Sequence, residues 1–325
     1  MAEPLPERIS GPIVVDGRVV ARVVHDLTVY IADPTRDELD ALIDIYRRLA
    51  SSDRIAKYKI AEFPGWSPVG APRLTETVRA AMEAGAPRPG LAPVYRRIEA
   101  GRGFELRFWD GREIEEEEGS WSFACLKVAR RAMSPVCIVR FLLPLAQDAA
   151  LLEQAALEVA ARVRVRSGHG GYAFAYHPYR KVDAFSRIYA LARRYWCIDV
   201  EDLNATARAR QAPARLKTIG WLTLLGPEFL AADGVESGLG VLAESHPLGV
   251  ARRPGATVLR LGDGPVAGDS NRPGSIPQVH FHVGGLLSEL LYTEHPAFEG
   301  AAFGRDDATL AWIRRFAEPE GWAAR

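Results

Sequence analysis

An alternating stretch near the start of the chain constrains the fold more than any other feature. From Val19 to Ile31, the later apolar side chains alternate with polar ones, which is the period of a β-strand that packs one face on a core. Thr35 and Glu38 then have the spacing of a capping box, and apolar residues recur at helical spacing from Leu39 to Leu49. The sequence therefore predicts a strand followed directly by an amphipathic helix.

A similar unit occurs in the middle of the chain. The stretch from Pro135 to Leu143 predicts a buried strand, and Gln147 to Val165 predicts a long helix with one apolar side. The order of strand, proline, acidic cap and helix thus occurs twice, at Leu27 to Leu49 and at Val136 to Val163. A degenerate internal duplication and two ordinary strand-to-helix units both fit this pattern.

Turn signals define several further elements. Phe104 to Gly111 ends in an Asp-Gly pair, which predicts a hairpin with a strand at Trp121 to Val128. Gly168 to Tyr172 predicts a glycine-rich turn that leads into a short strand at Tyr172 to Tyr176. The other predictions are helices at Leu74 to Ala84, Tyr179 to Trp196, Glu228 to Ala232 and Asp307 to Phe316, a strand at Ala256 to Leu261, and a strand or helix at Ile276 to Leu291.

These elements predict an α+β fold with mostly antiparallel sheets and packed helices. We expect an N-terminal extension at residues 1–18, a single domain at 19–300, and a C-terminal helix and tail at 301–325. A division of the domain into two sub-lobes near residues 130–145 stays open.

Composition and charge narrow the classes of function. With 48% hydrophobic and 25% charged residues, the 325-residue chain has a globular composition. Lysine plus arginine and aspartate plus glutamate are 41 each, so no overall field draws the protein to nucleic acid or to an anionic membrane. The acidic, proline-containing N-terminus is unlike a signal peptide, and the apolar runs are shorter than a membrane span. We expect a soluble, cytoplasmic protein.

Cysteine and histidine residues offer little support for a metal site or a cofactor. Cys125, Cys137 and Cys197 are too few and too scattered for a disulfide framework or a zinc site, and the first two lie in strand-like apolar runs that predict burial. His280 and His282 would share one face of a strand, with Glu294 and His295 as candidate partners for a metal. Packing is the better interpretation of this spacing, and we predict no metal and no cofactor.

One motif suggests an alternative function as a hydrolase. Gly268-Asp269-Ser270 is similar to the Gly-Asp-Ser opening of a lipase and esterase family, in which the serine is the nucleophile. The motif lies late in the chain between two prolines, and no Asp-x-x-His follows to supply a base. We interpret the segment as a turn in which Asp269 and Asn271 bond to their own backbone.

An acidic run lies between the two strands of the predicted hairpin. Its carboxylates are Glu113, Glu115, Glu116, Glu117 and Glu118. Such a run is typical of a solvated loop. Alternatively, five carboxylates on one protrusion imitate a phosphate backbone and fit the basic cleft of an enzyme that cleaves nucleic acid.

Three separate stretches carry a resemblance to a known family. They are Phe185 to Val200, Thr218-Ile-Gly-Trp-Leu-Thr-Leu-Leu-Gly226, and Gly268-Asp-Ser-Asn-Arg272. Together they resemble a bacterial family, first catalogued as a domain of unknown function, of type VI secretion immunity proteins that are paired with VRR-Nuc nuclease effectors. The resemblance covers roughly residues 20–290. The chain departs from the family pattern at Arg194-Tyr-Trp-Cys197, where an Arg-Tyr-Pro-Gly-like sequence is expected.

The resemblance implies a cytoplasmic immunity protein that binds a cognate toxin, a secreted nuclease effector, and blocks it by occlusion, without catalysis of its own. Surfaces that recognise the toxin must differ between pairs to give specificity, so the shared motifs are expected to be scaffold. The scaffold residues by this argument are Trp221, Gly226, Gly268, Asp269 and Asn271. The alternatives are a hydrolase that uses Ser270 and a scaffold or interaction protein unrelated to toxins.

Overall fold

The computed structural model describes residues 5–50, 57–61, 89–110, 121–127, 136–176, 180–209, 214–305 and 307–325. Eleven strands are found in these residues: β1 Ile13–Val15, β2 Arg18–Ile31, β3 Lys57–Ala61, β4 Phe104–Trp109, β5 Ser122–Lys127, β6 Cys137–Leu143, β7 Val165–Tyr176, β8 Asp199–Val200, β9 Leu222–Leu225, β10 Leu248–Arg252 and β11 Thr257–Leu261. All of them belong to one sheet.

Eleven α-helices are found in the same residues: α1 Glu7–Ser10, α2 Arg36–Ala50, α3 Ala92–Glu99, α4 Ala150–Arg162, α5 Lys181–Arg194, α6 Leu203–Thr206, α7 Pro227–Leu230, α8 Val235–Ser245, α9 Gln278–Leu286, α10 Ala308–Ile313 and α11 Pro319–Ala323. Two short 3₁₀ turns, Pro89–Leu91 and Ser288–Leu290, accompany α3 and α9. The predicted α+β class is confirmed.

The sheet has the strand order β10-β11-β9-β7-β2-β6-β5-β4-β3, with β1 beside β2 and β8 beside β7. All described pairs are antiparallel except β7 with β8, which is parallel. The central strand β2 is buried from Val20 to Ile31 because helices cover both faces of the sheet. A strand in this position loses water on both sides, so each of its polar side chains needs a partner inside the protein.

Two hydrophobic clusters cover the two faces of the sheet. One contains side chains of α2, α3 and α4, with Leu42, Tyr95 and Leu152 as members. The other contains side chains of α1, α5, α8, α9, α10 and α11, with Phe185, Val283 and Trp312 as members. The protein therefore has three layers, with helices on each side of a single sheet.

Both strand-to-helix units have the predicted form. The first consists of β2 and α2, and the backbone N–H of Thr35 donates to Glu38 while the N–H of Glu38 donates to Thr35 Oγ1, as in a capping box. The second consists of β6 and α4. Strands β2 and β6 are antiparallel neighbours and helices α2 and α4 are in contact. An internal duplication stays a prediction.

The prediction of a glycine-rich turn at Gly168 to Tyr172 is wrong. These residues lie inside the twelve-residue strand β7, which pairs with β2 along Ala21 to Ile31. A Cβ atom on Gly168 would lie 2.9 Å from the Thr28 carbonyl oxygen, and one on Gly170 would lie 3.1 Å from the Asp26 carbonyl oxygen. The glycines are therefore needed for close approach of two central strands, not for a turn.

The remaining predicted elements are either confirmed or differ from the structure in smaller ways. The predicted hairpin is confirmed, since β4 and β5 pair antiparallel. The apolar residue Val182 on α5 is 58% exposed. Ile276 to Leu291 is mainly helix, and the closing helix α10 is shorter than predicted. Helix α8 was not predicted, because its two glycines weaken the helical sequence pattern. Strand β10 was not predicted either. The predicted helix at Leu74 to Ala84 lies outside the described residues.

We predict that Gly168→Ala lowers the free energy of unfolding by about 1–3 kcal/mol, since the added methyl group has to force β7 and β2 apart. Urea unfolding followed by circular dichroism measures this change. Gly240→Ala is the matched control, because a Cβ atom at this helical position meets nothing within 4 Å. The control is expected to be stabilised by roughly 0.4–1 kcal/mol. Equal stability of Gly168→Ala and the wild type would contradict the close-approach argument.

Candidate functional site

A row of buried polar side chains crosses the centre of the sheet. Arg140 on β6 lies opposite Thr28 on β2, which lies opposite His169 on β7, which lies opposite Thr223 on β9. Directly opposed residues of antiparallel strands point to the same face, so these four side chains share one face of the sheet. All four are buried. The row brings hydrogen-bonding groups together on the face covered by α5 and α10.

Lys217 lies at the centre of an ionic cluster that begins at His169. Its Nζ atom is 2.7 Å from a carboxylate oxygen of Glu201 and 3.4 Å from one of Asp199, and it donates to the Val200 carbonyl at 2.9 Å. The Nε2 atom of His169 is 3.1 Å from Asp199 Oδ2. Lys217 and Glu201 are completely buried, so neither exchanges contacts with water.

The fold brings the residues of the ionic cluster together from distant parts of the chain. His169 is on β7, and β8 runs parallel to β7 from Asp199, so that the chain reaches Glu201 directly after it. Two hydroxyl groups complete the partners of Glu201, since Tyr30 donates at 3.2 Å and Thr206 at 2.6 Å. Every oxygen of this buried carboxylate therefore has a partner, as a buried charge requires.

Charge and burial shift the pKa values of the cluster in opposite directions. Burial by itself raises the pKa of Asp199, but the charge of Lys217 and the hydrogen bond with His169 outweigh it and hold that pKa well below its usual range. The pKa of Glu201 is also lowered, since the charge of Lys217 outweighs burial and the repulsion from Asp199. Burial and the neighbouring Glu201 raise the pKa of Tyr30 well above its usual value. The carboxylates are therefore ionised and Tyr30 is a neutral donor.

His169, Asp199 and Glu201 have the donor types of a divalent metal site, and one ligand atom of each lies within 4.8 Å of the others. The ammonium group of Lys217 already lies against both carboxylates. A metal ion would have to displace this charge, because two cations so close together in a buried site repel strongly. We interpret the group as an internal ion pair in which the ammonium group of Lys217 occupies the position that a metal ion would take.

A second buried ion pair flanks the cluster. Asp26 accepts hydrogen bonds from the Thr28 hydroxyl at 2.7 Å and from Nε of Arg140. Burial raises the pKa of Asp26 even though Arg140 lowers it, and burial is the larger effect. The Asp26 carboxylate thus depends on Arg140 to remain charged inside the sheet.

Arg315 connects the C-terminal part of the chain to the same region. Its Nε donates to the Trp196 carbonyl at 2.7 Å, and its Nη1 donates to Thr218 Oγ1 at 3.1 Å. The guanidinium lies 3.8 Å from the centre of the Trp312 ring, which is within the range of a cation–π interaction. Burial lowers the pKa of Arg315 to about 10, so it stays charged near neutral pH.

A small cavity of about 10 Å³ is lined by residues that include Asp26, His169, Asp199, Thr218 and Arg315. That volume is at the lower limit for one water molecule. The cluster is thus a packed part of the interior and has no room for an organic substrate.

Trp221 and Gly226 both lie at the ends of β9. Trp221 is buried in the cluster of apolar side chains under α2 and α4. The N–H of Gly226 donates to the Arg166 carbonyl at 2.7 Å, and a Cβ atom at this position would lie 2.6 Å from that oxygen. Glycine is therefore needed where β9 leaves β7 and α7 begins.

Gly268, Asp269 and Asn271 form a turn beside the end of α5. Gly268 has φ +67°, a conformation that favours glycine, and a Cβ atom there would lie 2.5 Å from Sγ of Cys197. Asp269 forms a two-point ion pair with Arg194, at 2.9 and 2.7 Å, and also accepts the N–H of Asn271. The hydroxyl of the exposed Ser270 donates to the backbone carbonyl of Arg193 at 3.4 Å. Ser270 thus takes part in the turn, and this contact gives it no activating base.

Among the described residues, the four residues considered for a metal site do not come together as a group of possible ligands. His280 and His282 lie on helix α9, where residues two apart point in different directions, so the strand geometry predicted for them is wrong. His280 is buried, and burial lowers its pKa to about 3. His282 is exposed and stacks on His246, with ring centres 4.2 Å apart. His295 is half-buried and stacks on Tyr292, with ring centres 5.6 Å apart, and Glu294 precedes it in the chain.

The acidic residues Glu113, Glu115, Glu116, Glu117 and Glu118 lie outside the described residues. The buried ionic cluster was not identified from the sequence. One signal for it is present: Lys217 is the only charged residue in the otherwise uncharged, mostly apolar stretch from Leu216 to Leu225. An unpaired lysine in such a run requires an acidic partner from elsewhere in the chain, but the sequence does not show which one.

The chain belongs to a family of type VI immunity proteins. The family model described as "Type VI immunity for VRR-NUC" (TsiV) matches residues 83–316, which is more than two thirds of the chain. This match confirms the resemblance found in the sequence. VRR-NUC effectors are nuclease toxins, so the cognate partner of the family is a nuclease.

A solved structure has the same fold. The type VI secretion system (T6SS) protein PA0821 of Pseudomonas aeruginosa superposes with a TM-score of 0.70 at 20% sequence identity, over 97% of this chain and 90% of that one. Identity this low establishes a shared fold only. The curated proteins contain no match to the chain. Among the described residues, no helix is both long enough and apolar enough to span a lipid bilayer.

We predict that Lys217→Met lowers the free energy of unfolding by about 3–5 kcal/mol, because it leaves two buried carboxylates without their cation. Chemical denaturation measures the loss. Arg252→Met is the control, since the Arg252 pair with Glu236 is exposed and contributes little. Adding Glu201→Gln to Lys217→Met should recover part of the loss by removing one unpaired charge. A Lys217→Met protein as stable as the control would contradict the role of the ion pair.

We also predict that stability falls as the pH is lowered from about 6.5 to about 4. Burial lowers the pKa of His295 from 6.5 to about 4, with a further contribution from the charge of Lys217. In this range the unfolded chain binds a proton on His295 and the folded chain does not, so acid favours unfolding. The slope due to His295 is at most about 1.4 kcal/mol per pH unit.

Thermal unfolding at a series of pH values tests this prediction with His295→Gln and the exposed control His282→Gln. The His295 variant should have a shallower dependence on pH between about 6.5 and 4, whereas the control should follow the wild type. An unchanged slope in His295→Gln would show that other groups cause the acid sensitivity.

Proposed function

We propose that this immunity protein binds its cognate VRR-NUC nuclease in the cytoplasm of the producing cell and neutralises it by occlusion. The family match supports the partner class. Occlusion is supported by the state of the buried ionic cluster, in which the groups that would carry chemistry are paired with one another. Lys217 and Glu201 are fully buried and bonded, so neither is available to attack or to protonate a substrate.

The surface that recognises the toxin must be sought outside this cluster. Buried groups cannot contact a partner, and we propose that they fix the scaffold that presents the binding surface. Strands β4 and β5, which flank the acidic run, lie toward one end of the sheet in the order β6-β5-β4-β3. Pairing of Phe104 with Lys127 and of Trp109 with Ser122 fixes both ends of this hairpin. The segment between Trp109 and Ser122 is thus attached to a rigid support.

We propose that the acidic run contributes to docking. Its five carboxylates lie within six consecutive residues, from Glu113 to Glu118. A nuclease must bind a polyanion, so the mouth of its active site is expected to be positively charged. An acidic segment is complementary to such a cleft and would hinder access of the nucleic acid. This charge complementarity favours the run over other segments of the chain as the toxin-binding element.

We predict that replacing the five glutamates of the run by serine weakens binding to a catalytically inactive form of the cognate nuclease at least about tenfold at low salt, mainly by slowing association. The loss should shrink as ionic strength rises, because screening already weakens the wild-type attraction. Surface plasmon resonance at several salt concentrations measures both effects.

The control is a protein with the same loss of charge at exposed positions elsewhere. Its replaced residues are Asp233, Glu244, Asp263, Glu289 and Glu320, each changed to serine. If both variants bind like the wild type, the acidic run has no part in docking. If both bind equally weakly, net charge rather than the position of the run accounts for the attraction. Binding that is absent even in the wild type would reject the proposed partner.

A further inference from the structure

Two of the three cysteines lie side by side in the sheet. Cys125 is on β5 and Cys137 is on β6, and their Sγ atoms are 3.2 Å apart. Both side chains are fully buried in the apolar cluster under α2, α3 and α4. No local pattern pairs them, because eleven residues separate them and their strands form no predicted hairpin with each other.

The register of the strands explains why the sulfur atoms meet. Cys125 lies opposite Val139, and Cys137 lies opposite Lys127, so the two cysteines are diagonal neighbours on one face of the sheet. The S–S bond of a disulfide is about 2.05 Å long. The sulfur atoms therefore have to approach by about 1.2 Å. Diagonal neighbours are about 7–8 Å apart, and a disulfide usually joins Cα atoms about 4.4–6.8 Å apart, so the bond requires rotation of both side chains and a small approach of the two strands.

We propose that Cys125 and Cys137 are a modification site, at which an intramolecular disulfide forms when the chain folds in the presence of a disulfide oxidant. The reaction is thiol–disulfide exchange. One cysteine thiolate attacks the oxidant, an S–S bond to it forms, and one thiolate of the oxidant leaves. The second cysteine then attacks this mixed disulfide, the Cys125–Cys137 bond forms, and the second thiolate leaves. Two thiols are oxidised, one disulfide is reduced, and two protons are transferred.

Burial determines when the reaction can take place. The thiolate is the reactive form of cysteine, and burial together with the adjacent Cys137 raises the pKa of Cys125 well above its usual value. The folded, reduced protein is thus protected from oxidation, and the formed disulfide is equally protected from soluble thiols. Exchange requires the period before β5 and β6 are packed, or a local opening of these strands.

The third cysteine does not compete for this role. Cys197 lies on the other side of the sheet, with its Sγ against Gly268, and burial raises its pKa to about 12. The disulfide would close a ring from residue 125 to residue 137 and would restrict the unfolded chain. It would also cross-link the strand that follows the acidic run to the centre of the sheet. Cys125 and Cys137 thus offer a way to stabilise the support of that segment.

The test is to refold the full-length chain in equal concentrations of reduced and oxidised glutathione, and in parallel in a reducing buffer. Intact mass after alkylation should show a loss of two hydrogens in the first sample, and proteolysis should give a peptide pair linked through Cys125 and Cys137. The oxidised protein should melt at a temperature about 5 °C higher than the reduced one.

Cys197→Ala is the matched variant, because it keeps the pair and should behave like the wild type. Cys125→Ala should keep its full mass under the same conditions. If this variant does not fold, the peptide map of the Cys197→Ala protein provides the decisive measurement. Two free thiols at positions 125 and 137 after refolding in the oxidising buffer would overturn the proposal, as would a linked peptide that contains Cys197.

Discussion

The ion pair between Lys217 and the carboxylates of Asp199 and Glu201 is the interaction on which the rest of this structure depends. It joins the stretch that precedes β9 to the segment that follows α5, and both lie on the face of the sheet covered by the larger helical layer. Removing such charges from water is costly, and the cost is offset only when each charge has a partner of good geometry. The cluster therefore selects one arrangement of these segments over looser ones.

Close packing at the centre of the sheet makes this arrangement possible. Gly168 and Gly170 allow β7 to lie directly against β2, and this contact brings His169 beside Thr28 and Tyr30. Asp26 on β2 and Arg140 on β6 extend the polar row on the side away from β7. A larger side chain at either glycine would widen the spacing of these strands and lengthen the hydrogen bonds of the row.

The separate roles of interior residues, which form the scaffold, and surface residues, which recognise the toxin, agree with membership of an immunity family. The interior holds paired charges that specify the scaffold, and recognition of a particular toxin has to depend on surface segments that differ between pairs. The turn of Gly268, Asp269 and Asn271 belongs to the scaffold by its contacts, because Asp269 is fixed by Arg194 and Gly268 lies against Cys197. In our proposal the acidic run supplies the recognition, and the hairpin of β4 and β5 supplies its support.

Local signals in the sequence determined the strand β2, the capped helix α2, the hairpin of β4 and β5 and the α+β class, since each of these follows from periodicity or turn chemistry within a few residues. The resemblance in three short stretches also determined the family. Only the tertiary structure decided that Gly168 to Tyr172 continues a strand, that Lys217 meets Glu201, and that Cys125 meets Cys137. These outcomes depend on strand order and register, which bring together residues far apart in the chain and which no local pattern encodes.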